Sequence, residues 1–184
     1  MQKFDVLIVG GGMVGLTLAL ALRQQSQLSV AIVDTQIPTP LSEQPENRVS
    51  AINIASQQIF TNLNVWPLIK KQRLQAYQHM HIWDKDGYGQ LNFNSVDFFP
   101  ATAKQQDLGW IIENKVIRNA LWQKAQADDS IVFFTEQTLT NLTVGDNEVF
   151  ASFAAGSPIL AKLVVGADGA HSWVREQMAM PIAF

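Results

Sequence analysis

The segment Gly10-Gly11-Gly12-Met13-Val14-Gly15 restricts the possible folds of this 184-residue chain more than any other stretch. It has the G-x-G-x-x-G spacing, directly after the apolar run FDVLIVG and directly before a helical pattern from about Met13 to Gln25. A β-branched apolar run that stops at a glycine reads as a parallel strand covered on both faces. SVAIVD supplies a second such strand and ends in Asp34, nineteen residues beyond Gly15. Strand, turn, helix and strand with a terminal acid form the first half of a doubly wound α/β unit.

Each glycine has a separate task in that unit. Gly10 permits the tight turn, Gly12 lets the backbone approach a pyrophosphate, and Gly15 lets helix and strand pack closely. Ala19, one turn on, keeps that contact short. The first-turn N–H groups and the positive end of the helix would face the pyrophosphate, while Asp34 would accept hydrogen bonds from a ribose. The spacing identifies a dinucleotide but does not separate FAD from NAD.

The same residues invite a secretory reading, because residues 6–22 are uncharged, follow Lys3 and contain Ala19-x-Ala21. Asp5 spoils the basic leader, and each glycine costs about 1 kcal/mol relative to alanine inside a helix. The strand–turn–helix reading is therefore preferred. The chain has 13 Lys and Arg against 16 Asp and Glu, with no basic cluster, so a nucleic-acid groove is excluded. It has no cysteine, hence no disulfide, thiolate metal site or cysteine nucleophile, which fits a reducing, cytoplasmic compartment.

Residues 35–47 are polar with three prolines and read as a mobile loop. Ile52, Ala55, Ile59, Phe60 and Leu63 recur at helical spacing, predicting an amphipathic helix entered through Arg48. YQHMHIWD alternates and is followed by Gly87, Gly89 and QLNFNSV, the pattern of a hairpin in a second sheet. His79 and His81 share a strand face there, but no acid pair completes a metal set. Residues 113–125 return to a helix with Val116, Ile117, Ala120 and Leu121 on one side, Asn114 placed to cap it and Arg118 on the polar side. On these patterns alone Arg48 and Arg118 read as solvated helix charges. IVFF, TLTNLTV and EVFASF follow as strands of a small meander, with Gly145-Asp146-Asn147 turning the last hairpin.

Close to the C-terminus, ILAKLVV, GADGAHS and WVREQM make a second strand–turn–helix of phosphate-binding type. Ser172 is placed to cap the helix, although Arg175 stands where a capping box needs Glu or Gln. Taken by itself such a turn is more often structural. The two glycine-bearing turns are expected side by side, within about 15 Å, if they hold one dinucleotide.

VGGGMVG with Asp34, together with GADGAHSWVR, resembles the two dinucleotide motifs of the flavin-dependent aromatic hydroxylases, the single-component FAD monooxygenases. RVSAINIAS, HIWDKDGYG, IIENKVIRNALW and LVVGADGAHSWVR are similar, more particularly, to the ubiquinone-biosynthesis hydroxylases, and closest to the 2-octaprenylphenol hydroxylases. The resemblance implies an α/β fold: a Rossmann-like FAD-binding domain, with parallel sheet, helices and β meander, plus part of a second, substrate-domain sheet. Its segments are 1–75 for the FAD-binding part, 76–108 for the partial substrate sheet and 109–184 for the return with the meander and Asp-Gly motif. It implies that Gly10, Gly12, Gly15 and Asp34 hold the adenosine-diphosphate half of FAD. Arg48 matches an arginine near the flavin and its phosphates, and Arg118 a frequent FAD-contacting position. Asp168 would lie between the pyrophosphate and the docking path of NAD(P)H, with Arg175 holding the turn.

The resemblance further implies hydroxylation of a polyprenylated phenol or quinol, with FAD as cofactor, NAD(P)H as co-substrate and O2 as oxidant. It assigns no acid or base. Family chains are roughly twice as long, so the expectation is a truncated, inactive N-terminal half in which Phe184 interrupts a longer protein. Peripheral membrane contact, or a place in a biosynthetic complex, would then be carried by residues beyond these. A nicotinamide-dependent dehydrogenase leaves the second turn without a purpose. A flavin-dependent reductase or halogenase, or a non-catalytic assembly partner, remains an alternative.

Overall fold

The computed structural model of the chain describes residues 1–100, 102–103 and 106–182; Phe184, where the sequence stops, lies outside them. In chain order the elements begin with β1 (Gln2–Val9), α1 (Met13–Gln25), β2 (Val30–Asp34), β3 (Val49–Asn53), α2 (Ile54–Asn62) and α3 (Trp66–Lys70). The hairpin region follows as β4 (Leu74–Tyr77), β5 (His79–Trp83), β6 (Gln90–Asn94) and α4 (Ser95–Phe98). The remainder is β7 (Gly109–Glu113), α5 (Asn114–Gln126), β8 (Ile131–Thr135), β9 (Leu139–Val144), β10 (Val149–Phe153), β11 (Ile159–Gly166) and α6 (Trp173–Gln177).

Two compact units result, one from residues 1–40 and 118–184, the other from 41–117. In the first, six strands lie in the order β8-β2-β1-β11-β10-β9. The first four are mutually parallel, and β10 runs antiparallel to both β11 and β9. The expected meander is therefore β9-β10-β11, while IVFF pairs with β2 instead and extends the parallel side. β1 and β2 are buried almost throughout because both sheet faces are covered. On one face Phe4, Leu7, Val9, Ala31 and Val33 join Leu139, Leu142, Ala151, Ile159, Ala161 and Val174 in one core. Alternation sends Ile8 and Ile32 to the other face, where α1 presents Leu16, Ala19 and Leu20. Burying each such Leu or Ile contributes about 1.5–3 kcal/mol. Phe134 bridges strands, edge-on to Phe4 at 5.9 Å and stacked on Phe153 at 5.4 Å.

In the second unit β7 is the centre of an antiparallel sheet, β3-β7-β4. The helix expected to open at Arg48 begins instead at Ile54, and Val49–Asn53 is strand β3. Ile52 keeps its burial by pairing opposite Trp110, and Asn53 caps α2 by accepting from the Ser56 N–H at 2.8 Å. Cap chemistry and a partner strand override the helical spacing of the apolar residues. β5 and β6 form the hairpin read from the sequence, in register from His79 opposite Asn94 to Trp83 opposite Gln90. In the loop after β2, expected to be mobile, four carbonyls accept from side chains: Arg118 donates to Gln36, Asn119 to Thr39, and Arg73 to Ser42 and Glu43.

Among the described residues no helix is long and apolar enough to cross a membrane. The stretch with a secretory look is β1, a turn and α1.

Candidate functional site

In a parallel sheet all strands end on the same edge, and ligands collect there where the strand order reverses. Here that point lies between β1 and β11, with β2 on the outer side of β1. The backbone locks the three ends together: Gly10 N donates to Val33 O at 2.8 Å and Ala167 N to Val9 O at 2.7 Å. Gly10 has φ +110°, and a Cβ there would collide with the Ala167 carbonyl and come within 2.9 Å of Asp168 N. The two glycine-bearing turns thus touch.

Close packing explains Gly15 as well, since a Cβ would strike the Gly10 carbonyl and stand 3.1 Å from Ile8 Cγ2. Gly12 is different: no atom lies within 4 Å of where its Cβ would be. It is the N-cap of α1, no side chain caps that helix, and its first turn holds no acid. The first-turn N–H groups therefore lack a side-chain acceptor next to a cleared space, and an anion fits both features. Gly11, which the spacing treats as arbitrary, is tightly constrained: a Cβ would lie 2.9 Å from both Asp34 Oδ2 and Trp122 Cζ3.

Asp34, at the tip of β2, accepts from Gly11 N at 2.7 Å and from Gln36 N at 2.8 Å. Arg118 adds a third donor, Nη2 to Oδ2 at 3.2 Å. A carboxylate has about four acceptor positions, so one remains for a ribose hydroxyl. Arg118 also donates from Nε to Gly11 O at 2.9 Å and from Nη2 to Gln36 O at 2.7 Å, with its guanidinium 5.6 Å from the Trp122 ring centre. Far from being a solvated helix charge, it staples α5 to the glycine turn and the end of β2. The sequence patterns mark neither Gly11 nor Trp122, although a glycine between Gly10 and Gly12 is a visible signal.

Asp168 turns back on its own helix. Its Oδ1 accepts from the Ser172 hydroxyl at 2.5 Å and its Oδ2 from Val174 N at 3.1 Å, while Ser172 Oγ caps Arg175 N at 3.1 Å. Two side chains share the capping of α6, which replaces the missing capping box. Arg175 holds the turn by donating to Ala170 O at 3.0 Å.

Arg48 belongs to the second unit, exposed just before β3, with its carbonyl accepting from Asn114 N at 3.0 Å. Asn114, expected as a helix cap, accepts the Ser50 hydroxyl on Oδ1 at 2.6 Å. Next to it Glu113 is buried at 5% exposure and forms a forked ion pair with Arg73, Nε to Oε1 at 2.8 Å and Nη2 to Oε2 at 3.1 Å. Arg73 holds the Glu113 carboxyl below the ordinary carboxylate range, assisted by the Glu46 N–H. A charge ending the apolar run GWII was the available clue to this pair. His79 Nδ1 lies 2.9 Å from Asn94 Oδ1 and the His81 ring 5.3 Å from Trp83. Among the described residues no cluster of three His, Asp or Glu is arranged for a metal.

Residues 3–183 match the family described as FAD binding domain. The 3-demethoxyubiquinol 3-hydroxylase of Escherichia coli K12 is 34% identical over 183 residues, covering 98% of this chain and 45% of that protein. Ubiquinone hydroxylase UbiL of Rhodospirillum rubrum is 31% identical, covering 97% of this chain and 40% of its own. The crystal structure of pqsL, a probable FAD-dependent monooxygenase from Pseudomonas aeruginosa, shares the fold with a TM-score of 0.74 at 17% identity, over 100% of this chain and 47% of that one. The chain spans less than half the length of these relatives.

Proposed function

We propose a function from one premise: this chain belongs to the FAD binding domain family and carries the fold of the FAD-dependent monooxygenases. The first unit holds the adenosine-diphosphate half of FAD, at the edge where the turns after β1 and β11 meet. The contact between Gly10 and the Ala167–Asp168 peptide carries this reading, because it makes one site of two motifs.

The residues divide the work. Gly10 and Gly15 set the turn, and Gly12 clears the approach so that the first-turn N–H groups of α1 donate to the pyrophosphate. Asp34 accepts from a ribose hydroxyl with its remaining lone pair. Arg118 keeps that carboxylate oriented and brings positive charge beside the phosphates. Asp168 fixes the second turn, past which NAD(P)H reaches the flavin. Arg48 is assigned to the flavin side on the resemblance alone. When bound, FAD supplies the redox chemistry, taking electrons from NAD(P)H and activating O2 for insertion into an electron-rich ring.

The activity in which these residues take part is hydroxylation of a polyprenylated phenol or quinol on the way to ubiquinone. The E. coli and R. rubrum relatives are named for ubiquinone-pathway hydroxylation, which supports that substrate class over the reductase, halogenase and assembly-partner alternatives. Segment 76–108 is read as the start of the substrate part, with 1–75 and 109–184 serving the cofactor. A place at the membrane surface or in a biosynthetic complex belongs to the same reading.

Titrating the chain with FAD and following flavin fluorescence tests it. The expected result is saturable quenching that D34A weakens by about tenfold, the loss of one charge-assisted hydrogen bond. Saturable binding of NAD+, read by tryptophan fluorescence, without any quenching of the flavin by the chain would overturn it. The 184 residues alone are expected to show no substrate-dependent NAD(P)H oxidation, and such turnover would refute their inactivity.

A further inference from the structure

Glu113 is the only charged side chain buried among the described residues. A buried carboxylate is tolerated when donors satisfy it, and three do: two arms of the Arg73 fork and the Glu46 N–H, the last at 2.9 Å. The remaining arm of Arg73, Nη1, reaches the carbonyls of Ser42 and Glu43 at 2.8 and 3.0 Å. Lys115 then holds the Glu46 side chain at 3.0 Å.

These contacts surround one short piece of backbone. Glu46 is tied to Glu113 through its N–H, Arg48 accepts from Asn114 N, and Val49 stands opposite Glu113 in the β3–β7 ladder. Arg48 thus sits on a segment clamped before it, at it and after it by Glu113 and its neighbour, while its own side chain is exposed.

The geometry assigns Arg73 and Glu113 as positioning residues for Arg48: their forked ion pair fixes the backbone of 46–49 from which the Arg48 guanidinium is presented. This rests on the reading of Arg48 as a flavin-side residue. A long, flexible cation is useful to a cofactor only if its attachment point is fixed, because each freely rotating bond must be frozen on binding. A surface ion pair would not supply that rigidity. A fork whose carboxylate is buried, although its guanidinium is part-exposed, and whose third arm is held by two carbonyls does.

Two measurements test it, on wild type, E113Q and R73K. R73K keeps the charge but loses the fork, and so protects the test if E113Q folds poorly. In the unliganded chain, amide hydrogen exchange at Glu46 and Asn114 is expected to rise by about tenfold or more in both variants as the clamp opens locally. In FAD titrations, R48A is expected to weaken binding about tenfold in wild type but only about twofold in the R73K background, because coupled residues are not additive. A purely structural ion pair would lower the melting temperature without that coupling. Unchanged exchange at the two amides, or an equal R48A effect in both backgrounds, overturns the inference and leaves the cofactor reading standing. A wild-type chain that takes up no FAD removes both. If FAD binds and R48A is silent in wild type, the positioning role falls alone.

Discussion

Gly10 and Gly12 stand two residues apart in one turn and should respond oppositely to a methyl group. Gly10→Ala places a side chain at φ +110° and drives it into the Ala167 carbonyl. Left-handed strain alone costs about 1–3 kcal/mol, and the collision adds to it. Gly12→Ala adds a methyl to open space, at a backbone conformation any residue adopts, and forfeits about 1 kcal/mol or less of N-cap preference. Thermal melts are therefore expected to fall sharply for G10A and little for G12A, while FAD affinity falls about tenfold or more for both if the cleared space serves the pyrophosphate. G12A binding FAD like wild type would show that the space has another use. A second residue-scale expectation concerns acid. Lys162, hydrogen-bonded to Asp5 at 2.7 Å, and the Ser29 N–H and hydroxyl hold the Asp5 carboxyl far below its ordinary range. Its folded pKa is depressed, so its contribution is complete above the unfolded value of about 3.9 and is lost as pH falls below that. In urea melts the difference between wild type and K162M is expected to be constant above about pH 5 and to shrink toward pH 3. A gap that widens on acidification would contradict this.

At the scale of elements, α6 shows how a short helix is held by residues outside it. It has five residues, too few to persist alone, and its N–H groups are met by Ser172 at Arg175 and by Asp168 at Val174. Losing either cap costs about 1 kcal/mol. D168A and S172A are each expected to lower urea stability by about that amount, and the double variant by less than the sum, because Ser172 also donates to Asp168. Additive losses would separate the two caps. The elements also show what the sequence disclosed. α1 is readable to the residue, and β2 to its end at Asp34 and within one residue of its start, because glycine, periodicity and a terminal acid agree there. β3 was not, because Ile52 fits a helical stripe and a strand face equally well, and only its partner β7, some sixty residues away, decides. β4, α3 and β7 itself escape a sequence reading for a different reason: each is only four or five residues long and lacks a pattern of its own. The site was legible where it depends on spacing, at Gly10, Gly12, Gly15 and Asp34. Its protein-side fastenings, Gly11 against Trp122 and Arg118 against Asp34, depend on contacts that no spacing encodes, as does the Arg73–Glu113 pair within the second unit.

At the scale of the whole molecule, the first unit is assembled from the two ends of the chain. β11 lies between β1 and β10, so Gln2 pairs beside Ile159 and Val9 beside Gly166. Without β11 the meander β9–β10 has no link to the parallel strands, β1 becomes an exposed edge, and Ile159, Ala161 and Val174 leave the core. Losing a buried isoleucine such as Ile159 costs about 2–5 kcal/mol in large-to-small truncations, and with the broken ladder on both sides of β11 this takes up much of the roughly 5–15 kcal/mol of a typical domain. A chain stopped after Pro158 is therefore expected to lose cooperative melting and FAD quenching together. The same dependence sets the order of folding: the non-local β1–β11 pairing must wait for the loop to close, so refolding of the full chain is expected to be slow, with flavin quenching recovering no earlier than the burial of Trp122 and the other core aromatics. Stopped-flow tryptophan fluorescence read beside flavin fluorescence decides the point. Flavin uptake by the shortened chain would mean that the turn after β1 binds without its neighbour at Ala167, and that the adjacency of the two motifs is incidental to the cofactor.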